Sequence, residues 1–234
     1  MVTRKQGNAE MVASVARSLG SLLDKVVFLG GATTSLLITD PAAPEIRGTL
    51  DVDVIVEIGT RTAYQKFGDK LADLGFRHDT EEGAPICRWR IGEVKLDVMP
   101  TDAGIIGFSN RWYPNAMATA RTIRLPDDLE IRIVSPPCFL ATKMEAFRNR
   151  GGGDHAASHD MEDIVALLDG RAEIVEEVRA ANPELRSYLT DGFRALMEDR
   201  RFTESISGHL PPDAASQARV RVVRNRLEQI VDLD

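Results

Sequence analysis

The sequence predicts an α/β (α+β) chain in two parts, an N-terminal half of mixed strands and helices over residues 1–134 and a C-terminal helical half over 135–234. Short β-branched runs such as "KVVFL", "DVIVEI" and "KLDV" alternate with helical apolar stripes in the first half. After Ser135 the hydrophobic spacing is helical almost to the end. The junction is too short for a flexible linker, so the two halves are expected to pack with a cleft between them.

Taken in order, Asn8 to Asp24 places Met11, Val12, Val15, Leu19, Leu22 and Leu23 on one helical stripe. "KVVFLGG" reads as a short buried strand ending in a Gly-Gly turn, and "ATTSLLI" as a helix that stops before Pro41. "TDPAAPEIRG" is a loop by composition, and "TLDVDVIVEI" is a second strand. Thr60 is placed to cap a helix to about Leu74, with Ala63, Phe67, Leu71 and Leu74 inward and Gly75 ending it. "ICRWRIGEVKLDVMP" reads as a β-hairpin turning near Gly92, which puts Val94, Leu96 and Val98 on one face and Asp97 on the other. "GIIGFSNRWYPNA" is expected to be irregular, followed by strands "RTIRL" and "LEIRIV" around "PDD". In the second half a Ser-Pro start opens a helix closed by three glycines, and further helices begin near Ser158, Ala172, Pro183 and Pro212.

With 234 residues, 43% hydrophobic and 28% charged, the composition is that of an ordinary globular protein. No apolar run approaches the ~18 residues of a membrane span, and the amphipathic N-terminus lacks a signal peptide's apolar block. Cys87 and Cys138 form no disulfide framework and no metal spacing, so a reducing cytoplasm is the expected address. The net charge of −7 is spread over both halves, which excludes a basic domain for indiscriminate nucleic-acid binding.

The chemistry lies in three acids. Asp51 and Asp53 are separated by one strand residue, so they face the same way about 7 Å apart. Like charges so placed need a compensating group, and with Asp97 on a neighbouring strand the three suit a Mg2+ ion, Mn2+ being the alternative. Upstream, Gly30 and Gly31 let backbone N–H groups approach phosphate, and Thr33 or Thr34 adds a hydroxyl. Each piece alone has a bland reading: a D-x-D at a strand's exposed start, a Gly-Gly that only turns. Their order along the chain is what points to a nucleotide site.

"FLGGATTSLL", "RGTLDVDVIV" and "VKLDVMP" resemble the polymerase-β-like nucleotidyltransferase fold. "KMEAFRNR" and "HDMEDIVALLDGR" resemble, within it, the AbiEii/AbiGii (MenT-like) nucleotidyltransferase toxins, which carry K-x-x-A-x-x-x-R and K-D-x-x-D segments. Lys143, Ala146 and Arg150 match the first pattern, and Asp160 and Asp163 the second, with His159 in place of the usual Lys. The resemblance covers about Val26 to Arg171. It implies a mixed-sheet catalytic domain and a helical domain that completes the site. It also implies NMP transfer from an NTP to a hydroxyl, most plausibly of a tRNA 3′ end, by a toxin paired with a cognate antitoxin. Asp51, Asp53 and Asp97 would hold the metal and do the chemistry, with Lys143, Asp160 and Asp163. Gly30, Gly31, Thr33, Arg47, Lys143 and Arg150 would hold the nucleotide. A structural Lys/Arg–Asp network between two helices is the plain alternative for the second group, and Arg47 either touches triphosphate or braces its loop. Two other functions stay open: a small-molecule, antibiotic-modifying transferase, or a catalytically silent nucleotide binder. His78, His155, His159 and His209 have no ligand spacing and are expected at the surface or in loops. Trp112 and Tyr113 are either stacking surfaces or core, and the arginines of "ARVRVVRNR" flank a packing stripe.

Overall fold

The structure, a computed structural model, describes residues 4–125, 128–150 and 153–233. Among these, no helix is long and apolar enough to cross a membrane. Two compact units are present: the chain up to Ser35 together with Arg47–Ser135, and Leu36–Ile46 together with the chain from Pro136 onward.

The first unit is built on a seven-stranded mixed sheet. Helix α1 (Arg4–Leu19) buries Val12, Val15, Ala16 and Leu19. At Gly20 the chain tightens into a 3-10 segment over Gly20–Lys25, so the stripe expected as one helix to Asp24 is split. Strand β1 (Val26–Leu29) is buried throughout, lying antiparallel to β2 (Asp51–Val56) on one side and parallel to β7 (Glu130–Ile133) on the other. Between β1 and β2 comes α2 (Thr34–Leu37), a single turn rather than a full helix.

Helix α3 (Arg61–Asp73) is capped by the Thr60 hydroxyl, which accepts from the Ala63 N–H. It buries Phe67 and Leu71. Ala63 and Leu74, expected inward, are exposed, because the buried stripe runs through Tyr64, which donates its hydroxyl to the Val98 carbonyl at 2.8 Å. Strands β3 (Arg77–His78), β4 (Arg88–Ile91) and β5 (Val94–Pro100) follow, β4 and β5 forming the expected hairpin. Strand β5 then pairs in parallel with β2. The segment expected to be irregular contains two short helices, α4 (Ala103–Ile106) and α5 (Tyr113–Ala118), the first capped by Asp102. Strand β6 (Arg121–Arg124) pairs antiparallel with β7. Part of the turn expected between them, Pro126 and Asp127, lies outside the described residues.

The second unit is helical: α6 (Pro136–Asn149), α7 (His159–Gly170), α8 (Ile174–Arg179), α9 (Pro183–Glu198), α10 (Arg200–Ser205), α11 (Ala214–Ala218) and α12 (Val220–Val231). The run expected as one helix from Pro212 breaks at Arg219. That guanidinium donates to both oxygens of buried Asp169 at 2.8 Å and to Asp40 at 2.6 Å. The Leu36–Ile46 segment is thereby fastened to the end of α7. Thr39 and Asp40 N–H groups both donate to the Gly170 carbonyl, satisfying an end that the helix itself leaves open. Gly170 has no room for a side chain there, since a Cβ would meet Ile38 at 2.8 Å.

Arg219→Met leaves the buried Asp169 without its main partner, so a loss of roughly 3 kcal/mol is expected in urea denaturation. The double change Arg219→Met, Asp169→Leu should recover part of it, because it removes the buried charge and leaves only the partly exposed Asp40 without the guanidinium.

Candidate active site

Strand geometry gathers the acids. Asp51 and Asp53 alternate onto one face of β2, and the parallel register sets Asp53 opposite Asp97 and Asp51 opposite Lys95. All three carboxylates therefore share one sheet face. Val52, Val54, Leu96 and Val98 turn the other way into the core.

The group that compensates them within the chain is Arg88. The β4–β5 hairpin closes through Gly92 and Glu93, with Gly92 at φ 54°, and its register places Arg88 directly across from Asp97. Arg88 Nε donates to Asp97 Oδ1 at 2.8 Å, and Nη2 donates to Asp97 Oδ2 at 2.7 Å and to Asp51 Oδ2 at 3.2 Å. This is a bidentate fork with a third bond on the neighbouring strand. Hydrogen bonding to Asp97, then the charges of Asp97 and Asp51, holds the guanidinium above its usual range. The other Asp51 oxygen accepts from the Thr49 hydroxyl at 2.7 Å. Buried Asn8 clamps the approach loop, donating to the Arg47 carbonyl and accepting from the Thr49 N–H. Arg47 itself is half-buried.

Asp53 is engaged differently. Its carboxylate lies against Gly30, where a Cβ would overlap it, and Gly30 adopts φ 78°. Glycine is required at that position on both counts. Gly31 opens the turn that follows, in which the Thr33 hydroxyl donates to the Gly30 carbonyl at 2.8 Å. The next two hydroxyls, of Thr34 and Ser35, are buried and have no hydrogen-bond partner among the described residues. Beside the acids, Cys87 is buried, and burial first, then the charges of Asp97 and Asp53, push its thiol up to about 12.

Lys143, Arg150, Asp160 and Asp163 are brought together in the helical unit. Lys143 Nζ on α6 lies 2.7 Å from Asp163 and 3.2 Å from Asp160 on α7. Arg150 pairs with Asp160 at 2.8 Å. His159 is exposed and faces Glu162. His155, expected at the surface or in a loop, lies in a turn and is buried there: its ring packs on Phe147 and Phe202, and Nε2 lies 3.3 Å from Asp199. Trp112 and Tyr113 are core residues, and Cys138 is buried.

Sequence reasoning missed Arg88 and Asn8. Arg88 was accessible by stepping outward from the turn at Gly92, which pairs Ile91 with Val94 and so Arg88 with Asp97. Asn8, 41 residues from its Thr49 partner, has no local signal.

The donor set fits a hard divalent cation in kind, being carboxylate oxygens on one face beside a glycine turn. Among the described residues, however, no His, Cys, Asp and Glu side chains are spaced as a three-ligand cluster. As it stands, Arg88 engages Asp97 and Asp51. A separate cavity of about 570 Å3 in the same unit is walled by Trp89, Tyr64, Ile86 and Ile105. It is mostly apolar and holds no convergent carboxylates.

No family model and no curated protein matches the sequence. Two solved Helicobacter pylori structures are similar in outline. One, provisionally described as a nucleotidyltransferase, is 10% identical with a TM-score of 0.49, over 99% of this chain and 96% of that one. The other, JHP933, is 10% identical with a TM-score of 0.49, over 97% of this chain and 91% of that one.

Three outcomes are expected. A thiol reagent at pH 8 should label neither cysteine in the folded protein and both in urea, since both are buried and Cys87 stays protonated. Lys143→Met should destabilise the protein markedly, because it removes the ammonium from between two buried carboxylates. The exposed Arg150 changed to Ala should cost less than about 1 kcal/mol.

Proposed function

We propose that the chain is a cation-dependent nucleotidyltransferase that moves NMP from an NTP to an acceptor hydroxyl. The observation that carries this reading is the gathering of Asp51, Asp53 and Asp97 on one sheet face, with the Asp53 carboxylate lying against the Gly30 turn. Glycine at 30, at φ 78°, carries no side chain to hold phosphate oxygens away from the backbone of the turn. Asp51, Asp53 and Asp97 would hold Mg2+, or Mn2+ in its place, which would supply charge neutralisation at the α-phosphate and a more acidic acceptor hydroxyl. Asp51 is oriented for this by Thr49, and the loop before it by Asn8. The acceptor oxygen forms a bond to the α-phosphorus, the bond to the bridging oxygen breaks, pyrophosphate leaves, and the hydroxyl proton passes to a carboxylate of this face.

The Lys143–Arg150 and Asp160–Asp163 segments support an RNA acceptor, a tRNA 3′ end, and a toxin acting beside a cognate antitoxin. A second reading, transfer to a small molecule, is favoured by one observation. Lys143 and Arg150 are already matched by Asp160 and Asp163, so that motif does not by itself require an RNA.

Asp53→Asn should retain the fold and lower NMP transfer at least about 100-fold, since it removes a charged oxygen at the reacting centre. Labelled NTPs offered with total cellular RNA or with aminoglycosides give the measurement and locate the label. Transfer at the wild-type rate by this variant contradicts the reading, and label on an aminoglycoside alone selects the second acceptor.

A further inference from the structure

We propose that Arg88 is the internal counter-cation of the carboxylate face: it competes with a divalent cation for the oxygens of Asp97, and cation binding requires Arg88 to release that carboxylate. The inference rests on the assignment of Asp51, Asp53 and Asp97 as cation ligands.

Three observations carry it. Both Asp97 oxygens are taken by the Arg88 fork, at 2.7 and 2.8 Å, and one Asp51 oxygen is taken by the same Nη2. A guanidinium stays charged at any working pH, so deprotonation offers no route for Arg88 to yield, and movement of the side chain is the route left. Charge is the third point. The register sets Asp51, Asp53 and Asp97 on one face with Lys95, Arg90 and Arg88, and of these cations it is Arg88 whose fork repels a dication from the most enclosed of the acids. Asp97 is 10% exposed and Arg88 18%, whereas Asp51 is 36% exposed. The cation is therefore met first by Asp51, and Asp97 joins when Arg88 lets go. Once released, the Arg88 guanidinium is free to meet the phosphates that arrive with the cation, which suits its planar donors. Arg88 is thus a positioning residue that couples cation entry to nucleotide entry.

The test is direct titration of MnCl2, with free Mn2+ followed by electron paramagnetic resonance and no nucleotide present. Arg88→Met should bind Mn2+ at least ~10-fold more tightly than the wild type, and Arg88→Lys, which keeps a charge but loses the fork, should lie between them. Asp53→Asn should bind weakly in either background. Because Arg88→Met is able to disturb folding, the wild type supplies a second measurement. The Arg88 Nε–H resonance, assigned by its loss in Arg88→Lys, should shift and lose protection as Mg2+ saturates the site. Equal or weaker Mn2+ binding by a folded Arg88→Met protein, or an Arg88 resonance unmoved at saturating Mg2+, overturns the proposal while leaving the carboxylates as ligands. Loss of Mn2+ binding in Asp53→Asn alongside those results marks that case. If neither wild type nor Arg88→Met binds Mn2+, with or without an NTP, the ligand assignment and the proposal fall together.

Discussion

Like-charge repulsion between carboxylates fixed on adjacent strands is the constraint on which the N-terminal unit depends. The pleat gives Asp51 and Asp53 no freedom to face apart, and the β2–β5 register brings Asp97 beside Asp53. A sheet tolerates such a cluster only if positive charge is delivered to the same face. The chain delivers it through the β4–β5 hairpin, whose tight turn fixes Arg88 across from Asp97. A register slip of one residue would turn Arg88 to the opposite face and leave the acids unmatched. Charge neutralisation and hydrophobic alternation thus specify the same pairing.

The glycine turn obeys a related constraint of space. Asp53 lies so close to Gly30 that any side chain there would displace it, and the positive φ of Gly30 independently disfavours other residues. Two features that look separate in the sequence, the D-x-D strand and the Gly-Gly turn 22 residues before it, are therefore one steric unit. The antiparallel pairing of Leu29 with Asp53 explains why they meet.

Much of this was legible in the sequence because it is local. Alternation gave the common face of Asp51 and Asp53, a Gly turn gave the hairpin, and Thr60 marked the start of α3. What was not legible depends on partners far along the chain. Arg219 reads as one arginine among several on an amphipathic stripe, and only its pairing with Asp169 and Asp40 explains why the helix breaks there. His155 sits in a glycine-rich stretch that reads as a solvent loop, yet Phe147 and Phe202, 55 residues apart, enclose its ring. The α4 and α5 helices are too short to establish a period, so propensity and pattern were both silent.

The chain holds a second acid cluster, and accessibility separates the two. Asp160 and Asp163 are 3% and 1% exposed, and a lysine ammonium lies between them. A buried pair of this kind resists change, since removing any member strands a charge away from water. On the sheet face, Asp51 remains open to solvent and its partner is an arginine on a hairpin strand rather than on a packed helix. Chemistry on a phosphate needs oxygens that a solvated ligand is able to reach, and a counter-charge able to move as ligand charge arrives. Asp51 offers such an oxygen, whereas both oxygens of Asp97 are held by Arg88. The helical pair, whatever it contributes to ligand binding, is first a bolt between α6 and α7.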